Sequence, residues 1–299
     1  MEPLRSLLFV PGHQDRLLQK APERGADGLL YDLEDSVPAA EKRAAREKVG
    51  DLLRNPQGPP RYVRVNGFVS EGGEPWVQAD LEAVVRVGLS GVVLPKPESA
   101  EEIRVLAAEL QRLESRAGIA AGKVEIIPFI ESARGVLSAH AILTASPRVA
   151  SVCFGGAEDG DLVRDLGCRW SPEGTELLYA RSKVLLEARA AGIEHPLDGV
   201  FLGLDDEEGL LRDAESARRL GYRGKTVIHP RQIGPVHRVF SPSEEEVAYY
   251  RDMISAFEAA EARGVGAISF RGKMIDLAMV KKARGVLARA KSLESGESR

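Results

Sequence analysis

The 299-residue chain has only two cysteines, Cys153 and Cys168, which form neither a disulfide framework nor a zinc-ligand spacing. A reducing, cytoplasmic setting is therefore expected. No His-rich or Cys-rich cluster points to a soft metal centre. Charge of one sign is not in excess either. Lys and Arg number 41 and Asp and Glu 45, a net charge of −4, which offers no basic surface to nucleic acid. Long apolar runs are missing. The stretch "MEPLRSLLFVPG" is too short for a signal-peptide core or a membrane span, so no membrane association is expected. A dinucleotide turn is absent too, since "VPGHQDR" is not a G-x-G-x-x-G. What remains is an ordinary globular composition, 43% hydrophobic and 29% charged, in a chain long enough for one α/β barrel or two domains.

Short β-type runs recur eight times: 6–12, 28–35, 61–67, 91–97, 124–132, 149–159, 197–203 and 224–230. Most are apolar throughout, as expected of parallel strands covered on both faces. Helical segments lie between them. One opens with Ser99 ahead of Glu101 and Glu102, an N-cap followed by an acidic first turn, and ends in Gly118. The alternation predicts a (β/α)8 TIM barrel over 1–240. The rival is a doubly wound open sheet, which usually has fewer strands. After residue 240 the pattern becomes a capped helix, a Gly-containing loop ("VGAISFRGKMID") and an amphipathic helix, predicting a C-terminal helix-loop-helix extension over 241–299.

In such a barrel the active site is built from the C-terminal strand ends and the loops after them. Those positions carry Asp32, Glu34 and Asp35 after the second run, then Arg64 and Asn66, Lys96, Glu131, Glu158 with Asp159, Asp205 with Asp206, and His229. Solvated loops account for some of these charges. They do not account for Arg64, Lys96 and Glu131, which are embedded in or hard against apolar runs. Glu131 and Asp159, on adjacent strands, suit a hard divalent ion such as Mg2+, which takes one or two carboxylates and completes its shell with water and substrate oxygens. Arg64 offers a bidentate fork for a substrate carboxylate or a developing oxyanion. Such a site fits an α-keto or α-hydroxy acid. Each residue also has a plain structural role open to it. Asp32 can cap the next turn or pair with an arginine. Lys96 can hold Glu34 without touching substrate. His229 reads as a hydrogen-bonded structural histidine, and Asp276 as an N-cap of the last helix.

The stretches "RSLLFVPG", "DLEDSVP", "RVN", "LPKPES", "PFIES", "FGGAEDGDLVRDLG", "SPEGTELLYARSKV", "GYRGKTVIHPRQI" and "GKMID" occur in family order, and with them the chain from about residue 5 to 290 resembles the citrate lyase β-subunit-like and malyl-CoA lyase family. The resemblance implies a TIM barrel and Mg2+-dependent cleavage or formation of a carbon–carbon bond between an acyl thioester, such as a coenzyme A thioester, and an α-keto acid. It implies homo-oligomers, commonly trimers. Carried over by motif, it makes Glu131 and Asp159 the metal ligands; Glu131 and Lys96 are also expected at the substrate. Arg64 becomes the substrate-binding arginine, and Glu34 and Asp35 become groups that hold metal-bound waters and orient Arg64. Asp276 becomes an acid/base group on a lid that reaches a neighbouring subunit. Related pyruvate aldolases carry histidine where this chain has Asp35, and that departure favours the thioester branch. Two other outcomes share the same motifs. One is a citrate lyase β subunit acting within a complex on an acyl-carrier thioester. The other is a malate synthase or thioesterase-type enzyme releasing the free hydroxy acid.

Overall fold

The computed structural model describes residues 3–55, 57–68 and 76–297, with side chains to residue 293. Eight parallel strands close into a barrel in chain order: β1 (Ser6–Pro11), β2 (Gly28–Asp32), β3 (Arg61–Arg64), β4 (Gly91–Pro95), β5 (Glu125–Ile130), β6 (Cys153–Phe154), β7 (Leu197–Asp198) and β8 (Gly224–Val227), with β8 pairing back onto β1. The expected TIM barrel is what forms. The sixth and seventh runs yield only two ladder residues each. The chain leaves β6 at Gly155 and Gly156, whose lack of side chains weakens a strand.

Helices cover the barrel: α1 (Asp15–Lys20), α2 (Lys42–Leu52), α3 (Trp76–Val84), α4 (Ala100–Ala117), α5 (Ala133–Leu143), α6 (Asp161–Leu166), α7 (Leu178–Ala190), α8 (Glu207–Leu220) and α9 (Ile233–Phe240). Helix α4 carries the full capping box between Ser99 and Glu102 and ends at Gly118 with φ 67°, the left-handed conformation that glycine adopts without strain. Inside the barrel Leu7, Leu30, Tyr62, Val93, Ile127, Phe129, Cys153 and Leu197 interdigitate in one apolar cluster, with Phe9 packed against it. Among the described residues no helix is long and apolar enough to cross a membrane.

The chain divides into two compact units, Met1–His237 and Arg238–Arg299. The second holds α10 (Glu244–Glu261), β9 (Ala267–Phe270), β10 (Lys273–Asp276) and α11 (Leu277–Glu297). Here the expectation of a loop is corrected, because β9 and β10 pair antiparallel. Their two-residue connection, Arg271 (φ 47°) and Gly272 (φ 76°), has both central residues at positive φ, the hairpin geometry that matches strand twist. Inward-facing Ile268, Phe270 and Ile275 join Met253, Phe257 and Val280 in a small core of their own.

Candidate active site

The site is assembled from the turn after β2. Asp32 ends that strand almost fully buried, and its carboxylate accepts the backbone N–H groups of Glu34 at 3.0 Å and Ser36 at 3.1 Å. The Lys42 ammonium donates to the carbonyls of Leu33 and Glu34, both at 2.8 Å, and the Asn66 amide donates to Leu33 at 3.0 Å. With its backbone tied on both sides, the turn holds Glu34 buried between two cations. The Glu34 carboxylate meets Arg64 Nη1 at 2.8 Å and Lys96 Nζ at 3.2 Å. Asp35 lies 3.7 Å from the same arginine nitrogen and is largely exposed.

Arg64 requires a correction. Its side-on fork does not stand free for substrate, because Nε and Nη2 are held by Asp32 at 2.7 and 2.8 Å. A buried guanidinium needs a buried carboxylate, and Asp32 is that partner. Asp32 is therefore the buttress of the arginine, the structural half of its two readings. Two of the five guanidinium N–H groups are thus hydrogen-bonded, and Nη1 is ion-paired with Glu34, which leaves an N–H of each of Nη1 and Nη2 for a ligand. Burial alone would raise Asp32, but the adjoining Arg64 guanidinium wins and brings its carboxyl down to about 2. Arg64 is itself held above its ordinary value despite burial, with Asp32, Glu34 and Glu131 all acting on it.

Glu131 follows the last residue of β5, and Ser132 at once caps α5 by accepting the N–H of Gly135 at 3.0 Å. The strand-to-helix turn leaves Glu131 buried inside the mouth, where its Oε1 has no hydrogen-bond partner. Burial pushes its carboxyl up to about 8, against the pull of Arg64 and Lys96 and with the charges of Glu34 and Asp161 adding to the rise. Gly155 makes room for it. A Cβ there would stand 2.5 Å from the Glu131 Cβ and 2.7 Å from Phe129, so no larger residue fits beside this carboxylate.

Lys96 and Asp159, two of the three non-glycine residues at positive φ among the described residues, both lie in the loops after barrel strands, where backbone strain gathers at functional sites. Lys96 bonds Glu34 and, at 2.6 Å, Asp161. Burial lowers Lys96, but the Glu34 carboxylate outweighs it and the ammonium stays above its ordinary range. Asp161, the first residue of α6, also pairs with Arg164. The pattern of residue types had not singled it out, since an acidic residue opening a helix reads as a partner of the helix dipole. Asp159 is exposed, as is Glu158. The carboxylate that shares Lys96 with Glu34 and bears electrostatically on Glu131 is Asp161.

Other expected positions are engaged as caps. Asp206 accepts the N–H of Gly209 at 2.8 Å, and His229 Nδ1 that of Arg231 at 3.2 Å. Asp276 lies in the second unit, at the start of α11, where it accepts the N–H groups of Ala278 and Met279 at 2.9 and 3.1 Å.

The residues present suit a hard cation. Among the described residues no group of three or more His, Cys, Asp or Glu is arranged to hold a metal. Mg2+ needs only one or two carboxylates, and the Glu131 oxygen without a partner is a donor of the right chemistry in a buried place.

A parallel eight-stranded barrel whose carboxylates and cations gather at the C-terminal strand ends has the layout of a TIM-barrel enzyme. The family model described as HpcH/HpaI aldolase/citrate lyase matches residues 5–230, and one described as C-C bond lyase of the TIM-barrel fold matches 188–293. The chain is 41% identical over 288 residues to citrate lyase subunit beta of Escherichia coli strain K12, covering 96% of this chain and 93% of that one. It is 35% identical over 293 residues to a (3S)-malyl-CoA thioesterase of Cereibacter sphaeroides, covering 97% and 96%. Among solved structures it matches CitE of Mycobacterium tuberculosis in complex with magnesium, acetoacetate and coenzyme A, with a TM-score of 0.76 and 31% identity over 97% of this chain and 98% of that one. The chain belongs to the HpcH/HpaI aldolase/citrate lyase family.

Proposed function

We propose that this chain is a Mg2+-dependent carbon–carbon lyase that cleaves, or forms, a 3-hydroxy-3-carboxyacyl coenzyme A thioester of the malyl, citramalyl or citryl type. The products are an acetyl-type thioester and an α-keto acid. The observation that carries the reading is Glu131, a buried carboxylate with a partnerless oxygen, facing two cations across the mouth. In this reading Glu131 would hold Mg2+ together with Asp161, in place of the Asp159 that the resemblance implies. When bound, the ion supplies Lewis-acid stabilisation of charge on substrate oxygens.

The protein's own groups do the rest. The two free N–H groups of Arg64 bind the substrate carboxylate in a charge-assisted pair. Glu34 holds Arg64 and Lys96 in place, and Asp35, facing solvent, holds water at the rim. The substrate hydroxyl gives its proton to the rim water held by Asp35 as the carbon–carbon bond breaks and the hydroxyl oxygen becomes the keto oxygen. The electron pair of that bond passes into the thioester as an enolate, and Asp276 from a neighbouring subunit returns a proton to that carbon. In this reading residues 1–240 carry the chemistry and 241–299 serve as the lid.

The test is to assay the purified chain with malyl-, citramalyl- and citryl-CoA and Mg2+, measuring keto acid, acetyl-CoA and free coenzyme A separately. Keto acid and acetyl-CoA in equal amounts are expected. Free coenzyme A without keto acid would make the chain a thioesterase, the activity of the Cereibacter relative. Turnover only on a carrier-bound thioester with partner subunits would make it a citrate lyase β subunit, the name of the Escherichia relative.

A further inference from the structure

The guanidinium of Arg64 is held on its edges by Asp32 and Glu34, but edges alone leave a planar group free to tilt. Its Cζ lies over the ring of Phe9, 4.9 Å from the ring centroid. Phe9 in turn packs edge-to-face on Phe129, with centroids 6.3 Å apart and an interplanar angle of 63°. Phe129 is buried, and Gly155 is the residue whose missing side chain leaves room for both Phe129 and Glu131. One line of neighbours thus runs from Gly155 through Phe129 and Phe9 to Arg64, from the acidic side of the mouth to the arginine. Phe9 is the member of the barrel-lining cluster that stays only partly buried.

We infer that Phe9 is a positioning residue for the carboxylate-binding arginine. Its ring is the platform that keeps the plane of Arg64 set, so that the two free N–H groups present together to an α-keto acid. A cation held over an aromatic face in a desolvated place gains from the ring quadrupole, and the same contact resists tilting. An aliphatic side chain of similar size would fill the space without supplying that face. The inference rests on the reading of Arg64 as the substrate-binding arginine.

The test uses binding as well as turnover. Pyruvate is titrated calorimetrically into the full-length protein in excess Mg2+, for wild type and for Phe9→Leu, Phe9→Tyr and Arg64→Ala. Phe9→Leu is expected to weaken pyruvate on the order of tenfold, as loss of a buried cation–π contact would, while its melting temperature and Mg2+ affinity stay near wild type. Phe9→Tyr, which keeps the aromatic face, is expected to restore pyruvate binding. Arg64→Ala is expected to abolish it. Pyruvate affinity in Phe9→Leu equal to wild type, or equal losses in Leu and Tyr, would overturn the inference. So would retained binding in Arg64→Ala, because Phe9 would then have no substrate-binding group to position. If wild type binds pyruvate but cleaves none of the thioesters, the lyase reading fails, and the Phe9 comparison is still decided by binding.

Discussion

Glu131 and Asp32 are both buried carboxyl groups, and their surroundings drive them in opposite directions. Asp32 has Arg64 on its fork and sits at about 2, below its ordinary value. A carboxyl depressed in the folded state contributes stability that is present above its unfolded value and lost as pH falls through the folded one. Asp32 is worth roughly 2 kcal/mol on this basis, and Asp32→Asn should abolish that share of the acid dependence. Urea unfolding of both proteins between pH 2 and 6 measures it, and parallel curves would assign the acid sensitivity elsewhere. Glu131 has no partner for Oε1 and rises to about 8. The sign reverses. The fold favours its protonated form, so its contribution is present below the ordinary carboxylate range and is lost as pH rises through about 8. A metal ligand must be deprotonated, so Mg2+ binding below that pH should release a proton and tighten as pH rises towards it. Calorimetry at pH 6.5 in buffers of different ionisation heat should show release of about one proton in wild type. Mg2+ binding should be lost in Glu131→Gln and weakened in Asp161→Asn, with Asp159→Asn unaffected. Weakening in Asp159→Asn alone would return the second ligand to Asp159.

Between residues and the whole lie the elements, where legibility in the sequence was uneven. All eight strands were readable, because a barrel strand buried on both faces must be apolar for most of its length, and Glu131 and Arg64 stood out as charges against that background. Partnership was not readable. That Asp32 occupies the Arg64 fork, and that Asp161 reaches Lys96, depends on which loops the closed barrel brings together, and one-dimensional spacing carries no record of it. The β9–β10 hairpin was missed because its strands are short and its turn, Arg271–Gly272, lacks the commoner Asn-Gly or Asp-Gly signal. Its register has a consequence. Alternation places Asp276 and Met274 on the hairpin face opposite buried Ile275, and Met274 is 68% exposed. Asp276 thus combines an N-cap with a place on an open face. The two roles separate in Asp276→Asn. Asparagine caps as well as aspartate, so helix stability should hold, whereas Asp276→Ala should cost about 1 kcal/mol. If Asp276 supplies a proton, the Asn variant should lose turnover by two or more orders of magnitude, at the level of a lost general acid. Near wild-type kcat in Asp276→Asn, measured beside an unchanged melting curve, would leave the residue as a cap and nothing more.

At the scale of the whole molecule, the second unit has a small core of its own and also exposes Met274, Leu277 and Met279 at 68%, 46% and 43%. Three exposed large apolar side chains close in sequence to one carboxylate, along a hairpin and the first turn of a helix, are residues of the kind that contact another protein surface. A reactive enolate needs protection from water, and lids commonly supply it. The expected assembly is a homotrimer in which these residues close the mouth of a neighbouring barrel. Light scattering coupled to size exclusion should give three times the mass of the chain. Met274→Lys should shift the mass towards monomer and remove turnover, while leaving Mg2+ binding at Glu131 intact. Complementation decides whether the site is shared. Asp276→Asn and Glu131→Gln are each expected to be inactive alone. Mixed under conditions that exchange subunits, they should regain activity, because some interfaces then join an intact Glu131 to an intact Asp276. Statistical mixing of equal amounts makes about one interface in four competent, so recovery should approach a quarter of the wild-type rate if each site acts independently. No recovery, with exchange verified by mass-tagged subunits, would place Asp276 in its own subunit's site or outside the reaction.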